Sequence, residues 1–126
     1  MEEHAVVWFD TYEEDLKVPE KAPLRWVIRE SQTGKYAGEL SIRPVESREN
    51  VFWMGYYLAY DHWGKGVMTA AVAAVLDLAP KENVRIITAG VKEGNIGSRR
   101  VLEKNGFRMV GEHLEETLVW DFERDL

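Results

Sequence analysis

The chain has no cysteine, which excludes disulfides, thiolate metal sites and a cysteine nucleophile. Its three histidines (His4, His62 and His113) are scattered without metal-ligand spacing, so no metal is expected. Long apolar runs are missing too. None reaches the ~18 residues of a membrane span, and Met1-Glu2-Glu3-His4 lacks the basic start of a signal peptide. These features lead to the expectation of a cytoplasmic protein with no membrane partner. Positive charge is in deficit: 16 Lys and Arg face 22 Asp and Glu, a net charge of −6. Broad nucleic-acid binding needs a basic face, so no nucleic-acid partner is expected. What is present is 126 residues, 45% of them hydrophobic, enough for one domain over 1–126 with a single core.

Along the chain the periodicity alternates between helix and strand. Ala5 to Leu16 mixes Val6, Trp8, Phe9, Tyr12 and Leu16 with acidic residues and reads as a short helix. Pro19 and Pro23 mark a loop after it. Residues 24–29 and 36–42 read as strands joined by Ser31-Gln32-Thr33-Gly34-Lys35, and 44–50 as a polar connection. Residues 51–60 are aromatic and β-branched, a buried strand. From about 66 to 79 the chain is rich in Ala, Val and Leu up to Pro80, a buried helix. A strand over 84–90, a helix over 96–104 closed by Asn105-Gly106, and closing strands over 107–111 and 117–122 complete the order. Several strands followed by two β-α units describe a mixed-sheet α/β domain.

The densest passage is Trp63-Gly64-Lys65-Gly66-Val67-Met68-Thr69, at the joint between the long strand and its helix. Glycines spaced by one residue let backbone approach a ligand closely. The first N–H groups of the following helix have no partner within it, and the helix dipole favours an anion there. The spacing therefore predicts a phosphate site. A simple tight turn is the bland alternative. A nucleotide P-loop is a poorer one, because Gly-Lys-Gly lacks the four-residue gap and the Lys-Ser/Thr pair. The second dense passage is Asn95-Ile96-Gly97-Ser98-Arg99-Arg100-Val101-Leu102-Glu103-Lys104-Asn105-Gly106-Phe107. Asn95 is a natural N-cap, and Ser98 lies one turn into the helix, on the side where a ligand could approach.

Taken together, the two passages resemble the GNAT acetyltransferases. That family's strand-to-helix turn reads (Arg/Gln)-x-x-Gly-x-(Gly/Ala), and its next β-α unit often reads Asn-x-x-Ser-x-x-(Val/Leu)-x-(Glu/Lys)-x-Gly-Phe. The aromatic Gly-Tyr-x-Leu strand and the Trp-Gly-Lys-Gly turn look most like the branch that acetylates protein N-termini, including those of ribosomal proteins. The resemblance covers about residues 24–122. Asp61 stands at the Arg/Gln position. Only 50 residues precede the long strand, so the resemblance implies a GNAT fold lacking the usual first strand and helix, with 5–16 as the family's second helix. An exposed sheet edge could then pair with a second chain as a homodimer.

The resemblance implies acetyl-CoA as cosubstrate and a primary amine as acceptor, either a peptide N-terminus or a small amine. The pyrophosphate would sit on the backbone of Gly64, Lys65, Gly66, Val67 and Met68 with Thr69 nearby. The pantetheine arm would pair with Leu58, Ala59 and Tyr60. Asn95 would hold the pantetheine or its loop, and Ser98 would hydrogen-bond the departing sulfur. The amine attacks the thioester directly, and a backbone N–H of Leu58 or Ala59 would stabilise the oxyanion. An α-amine with a pKa near ~7.8 is roughly a tenth neutral at pH 7, whereas lysine near ~10.4 is neutral only about 0.04% of the time. A low-pKa amine therefore asks less of the base. Glu116 or Glu115 is the expected base, with Glu39 a weaker choice. The rival reading is a CoA-binding or interaction module without activity.

Overall fold

The computed structural model describes residues 24–30 and 32–126, so the helix expected over 5–16 lies outside the described residues. Six strands form one sheet: β1 (Leu24–Arg29), β2 (Tyr36–Pro44), β3 (Val51–Leu58), β4 (Ile86–Lys92), β5 (Arg108–Leu114) and β6 (Leu118–Asp125), in the order β1-β2-β3-β4-β6-β5. All neighbours are antiparallel except β3 and β4, which run parallel. Two helices connect the middle of the chain, α1 (Val67–Leu78) and α2 (Ile96–Lys104). The expected mixed sheet with two β-α units is what the chain forms.

Alternation along the strands puts Trp26, Ile28, Leu40, Ile42, Phe52, Met54, Ile87, Ala89, Val91 and Phe122 into one core. Helix α1 covers them with Val67, Met68, Ala71, Val72 and Val75, a stripe at helical spacing whose small alanines let the helix lie close to the sheet. It passes into a 3-10 turn over Ala79–Glu82, where Pro80 cannot continue the α-helical bonds. Helix α2 ends in a Schellman motif. Gly106, at φ +83°, donates from its N–H to the Glu103 carbonyl, and Phe107 donates to the Leu102 carbonyl, both at 3.0 Å. Phe107 and Leu102 are both buried, which supplies the apolar contact that goes with this ending.

The parallel ladder decides where a ligand can enter. It holds only for Val51–Ile86, Phe52–Ile87 and Trp53–Thr88. Beyond those pairs β3 stays with β2 as far as Leu58, and β4 stays with β6 as far as Lys92. The sheet thus divides into two halves that diverge over the last five residues of β3.

Candidate functional site

The divergence opens a cleft of about 990 Å³. Its walls are the end of β3 (54–58), the 62–69 turn and first turn of α1, the end of β4 (89–92), and the loop and first turns of α2. Leu58, Gly64, Gly66, Val67, Met68, Thr69, Asn95 and Ser98 all line it. Lys65 is an exposed turn residue, and Ala59 and Tyr60 follow β3 outside the lining set.

Gly64 and Gly66 have φ of +74° and +76°, and a Cβ built on either would meet nothing within 4 Å. Their glycine identity is therefore set by the left-handed backbone, with the space above each left open. Gly66 is the N-cap of α1, and no side chain caps the helix. The N–H groups of Val67, Met68 and Thr69 thus lie at an uncapped helix start on the cleft wall, with the positive end of the dipole behind them. Across the cleft, Asn95 Oδ1 accepts from the Ser98 N–H at 3.2 Å, so α2 is capped at its entrance by the residue expected to do it.

Backbone alternation in β3 selects which groups face the gap. Leu58 stands opposite Gly38, while the N–H of the next residue, Ala59, donates to the Ala37 carbonyl at 2.8 Å. Leu58 and Tyr56 are thus the residues whose N–H and C=O point away from β2, toward the gap. The Leu58 carbonyl accepts the Trp63 indole N–H at 2.8 Å, and the Tyr60 carbonyl accepts the Trp63 backbone N–H at 3.1 Å. Of the Leu58-or-Ala59 alternative for an inward N–H, only Leu58 has the orientation.

In the sequence Tyr56 is one aromatic residue of the buried strand expected over 51–60. In the structure its hydroxyl lies 2.6 Å from Ser98 Oγ, and burial pushes its pKa above the usual phenol value, with the Ser98 hydrogen bond opposing. Among the described residues, the charged side chains that line the cleft, Lys92, Arg100 and Lys104, are all basic, in a chain of net charge −6. Sequence reasoning passed over them. Arg100 and Lys104 stand one turn apart on α2, and that spacing was the available signal.

The carboxylates lie elsewhere. Glu115 and Glu116 are exposed in the β5–β6 turn, and Glu115 is engaged by His113 Nε2 at 2.8 Å. The other His113 nitrogen meets Asp121 at 3.0 Å. The His113 pKa is raised above its ordinary value, first by Glu115 and then by Asp121. Glu39 accepts from Arg25 at 2.8 Å and from Tyr36 at 3.2 Å. It pairs with Tyr57 in register and so points to the sheet face opposite Tyr56. None of the three glutamates is among the cleft residues.

A family model described as an acetyltransferase (GNAT) domain matches residues 2–108. The chain belongs to the GNAT acetyltransferase family. Among relatives of this GNAT domain, a probable N-acetyltransferase, YjcK of Bacillus subtilis, is 50% identical over 60 residues, covering 47% of this chain and 33% of that protein. An uncharacterised protein of the same organism, YkkB, is 32% identical over 95 residues, covering 74% and 52% respectively. The GNAT fold is matched by the Mycobacterium smegmatis RimJ structure in complex with CoA-disulfide, with a TM-score of 0.73 and 30% identity over 82% of this chain and 53% of that one. It is matched also by a ribosomal-protein-S5-alanine acetyltransferase of Vibrio fischeri, with a TM-score of 0.75 and 23% identity over 82% and 61%. The GNAT chain thus spans a third to about three fifths of these proteins' own length.

Proposed function

We propose that this chain binds acetyl-CoA in the cleft between β3 and β4 and transfers the acetyl group to a primary amine. The observation that carries the reading is the divergence of β3 from β4 beside an uncapped helix start, in a cleft whose charged lining among the described residues is basic. A molecule with a diphosphate at one end and a long amide-bearing arm at the other fits that combination. The same GNAT fold holds CoA-disulfide in the RimJ relative.

In this reading the backbone of Gly64, Lys65, Gly66, Val67 and Met68 holds the pyrophosphate, with Thr69 beside it. Lys92, Arg100 and Lys104 add long-range attraction for the anion. Tyr56 and Leu58 offer the inward backbone groups of β3 to the pantetheine amides, and the Ala59–Tyr60 segment bounds the arm. Acetyl-CoA supplies an activated acetyl thioester. The Leu58 N–H is oriented to stabilise charge that develops on the thioester oxygen. Ser98 donates to the departing sulfur, and Asn95 fixes the turn that carries Ser98. The amine nitrogen gains the acetyl carbon and gives up its proton; Glu116 or Glu115 takes this proton through water, with Glu39 the weaker choice. A peptide N-terminus or a small amine of low pKa is the acceptor, on the arithmetic of neutral amine given above.

Incubation with acetyl-CoA and two acceptor panels, peptides with free N-termini and polyamines, tests the reading by mass shift. The expected result is a single acetyl addition on the α-amine of peptides. Acetyl transfer to polyamines alone would overturn the N-terminal acceptor, and bound CoA without transfer to any amine would favour the CoA-binding module.

A further inference from the structure

Tyr56 on the diverging half of β3 and Ser98 on the first turn of α2 are 42 residues apart in sequence and meet in the cleft wall. Their oxygens lie 2.6 Å apart, short for two hydroxyls, and either could be the donor. The phenol has a second acceptor, the Ser98 carbonyl at 3.4 Å, a much longer contact. Ser98 is held in place independently by the Asn95 cap.

One line between two hydroxyl oxygens carries one proton. When Ser98 donates along it, the serine proton is turned into the wall. When Tyr56 donates, the serine proton is released toward the cleft, and the phenol polarises the serine oxygen so that Ser98 becomes a stronger donor. Negative charge in the cleft favours the second arrangement, because a hydrogen bond to a charged acceptor is roughly twice as strong as a neutral one. Burial raises the phenol's pKa above its ordinary value, so at neutral pH it is protonated and able to donate.

We infer that Tyr56 is a positioning residue: its hydroxyl donates to Ser98 Oγ and thereby aims the Ser98 O–H at the sulfur that leaves during acetyl transfer. The inference rests on the acetyl-CoA reading of the cleft. Neither hydroxyl surrenders its proton. The amine nitrogen forms the new C–N bond and its proton passes through water to the base of the proposed reaction. The C–S bond breaks with its electron pair on sulfur, and the thiolate is held by Ser98, which Tyr56 holds in turn.

The test needs no acceptor amine. CoA itself is bound to the chain, and the thiolate fraction is followed by ultraviolet absorbance as pH is raised. Free CoA titrated in the same buffer sets the reference, and the wild-type complex is expected to titrate lower. Among the described residues, the other charged or titratable groups that line the cleft are Lys92, Arg100, Lys104, His62 and Tyr57. They are the same in every variant, so differences between variants report the hydroxyl pair. Ser98→Ala and Tyr56→Phe are each expected to cut the thiolate fraction at fixed pH about three- to tenfold. The double variant should fall no further than Ser98→Ala, since Tyr56 acts through Ser98. Ser98→Thr, which keeps a hydroxyl, should restore most of the effect.

The inference is overturned if Tyr56→Phe binds CoA and keeps the wild-type thiolate fraction. It is equally overturned if the effects of Tyr56→Phe and Ser98→Ala add in full. A wild-type chain that binds no CoA overturns the reading of the cleft as a whole, and that outcome is distinct from both.

Discussion

The Asn105 amide donates from Nδ2 to the Thr69 carbonyl at 3.1 Å and to the Val101 carbonyl at 3.0 Å. One side chain thus ties the end of α2 to the first turn of α1, the two elements whose starts flank the cleft. Asn105→Ala removes both bonds and is expected to lower stability by about 1–2 kcal/mol, read from chemical denaturation. It should also weaken acetyl-CoA binding by loosening the α1 mouth; unchanged stability and unchanged binding would show the tie to be idle. His113 gives a second test at this scale. Both of its ring nitrogens face carboxylates, and its pKa is raised, chiefly through the bond to Glu115. A raised folded-state value means that the ion pairs support the β5–β6 hairpin fully below the ordinary histidine value of ~6.5. That support fades as pH climbs through the higher folded-state value. The His113 ring protons should therefore titrate above 6.5 by NMR, and Glu115→Gln should lower the midpoint more than Asp121→Asn. A wild-type midpoint at or below 6.5 contradicts the geometry.

Element by element, the local periodicities carried most of the fold. The strand expected over 51–60 ends at Leu58, because Tyr60–His62 turns into a 3-10 segment that brings the Trp63 indole back onto the Leu58 carbonyl. The helix expected from about 66 to 79 starts at Val67, since Gly66 takes the left-handed conformation that begins it. The strand expected over 84–90 runs from Ile86 to Lys92, extended by its pairing with β6. Such boundaries depend on partners far along the chain, which local periodicity does not encode. The same reason hid Tyr56. Its role comes from a residue 42 positions away, and in isolation it reads as one more aromatic of a buried strand. The basic lining was hidden likewise, because Lys92 meets Arg100 and Lys104 only once the strand and helix are folded around one cleft. Gly38 is a further case. It reads as an unremarked strand residue, yet a Cβ there would overlap the Tyr57 carbonyl of the neighbouring strand. Gly38→Ala is expected to cost about 1–3 kcal/mol by pushing β2 from β3. A thermal melt that matches the wild type would show that the two strands part without strain.

Across the whole molecule, an acidic chain presents a cleft whose charged lining among the described residues is basic. The net charge of −6 would repel an anionic ligand at long range. The cleft offsets that with Lys92, Arg100 and Lys104 and with the dipole of α1. Affinity for a diphosphate-bearing ligand should therefore fall as salt rises, because exposed charges are screened beyond roughly 8 Å at physiological ionic strength. Whether the cleft holds acetyl-CoA by charge is decided by calorimetric titration of acetyl-CoA into the chain, at low and at high salt and repeated with the Arg100→Ala/Lys104→Ala variant. Micromolar to sub-millimolar binding to the wild type that weakens with salt is expected, with binding several-fold weaker and of shallower salt dependence in the variant. The absence of binding by the wild type in low salt, or affinity untouched by both salt and the paired substitution, would contradict it.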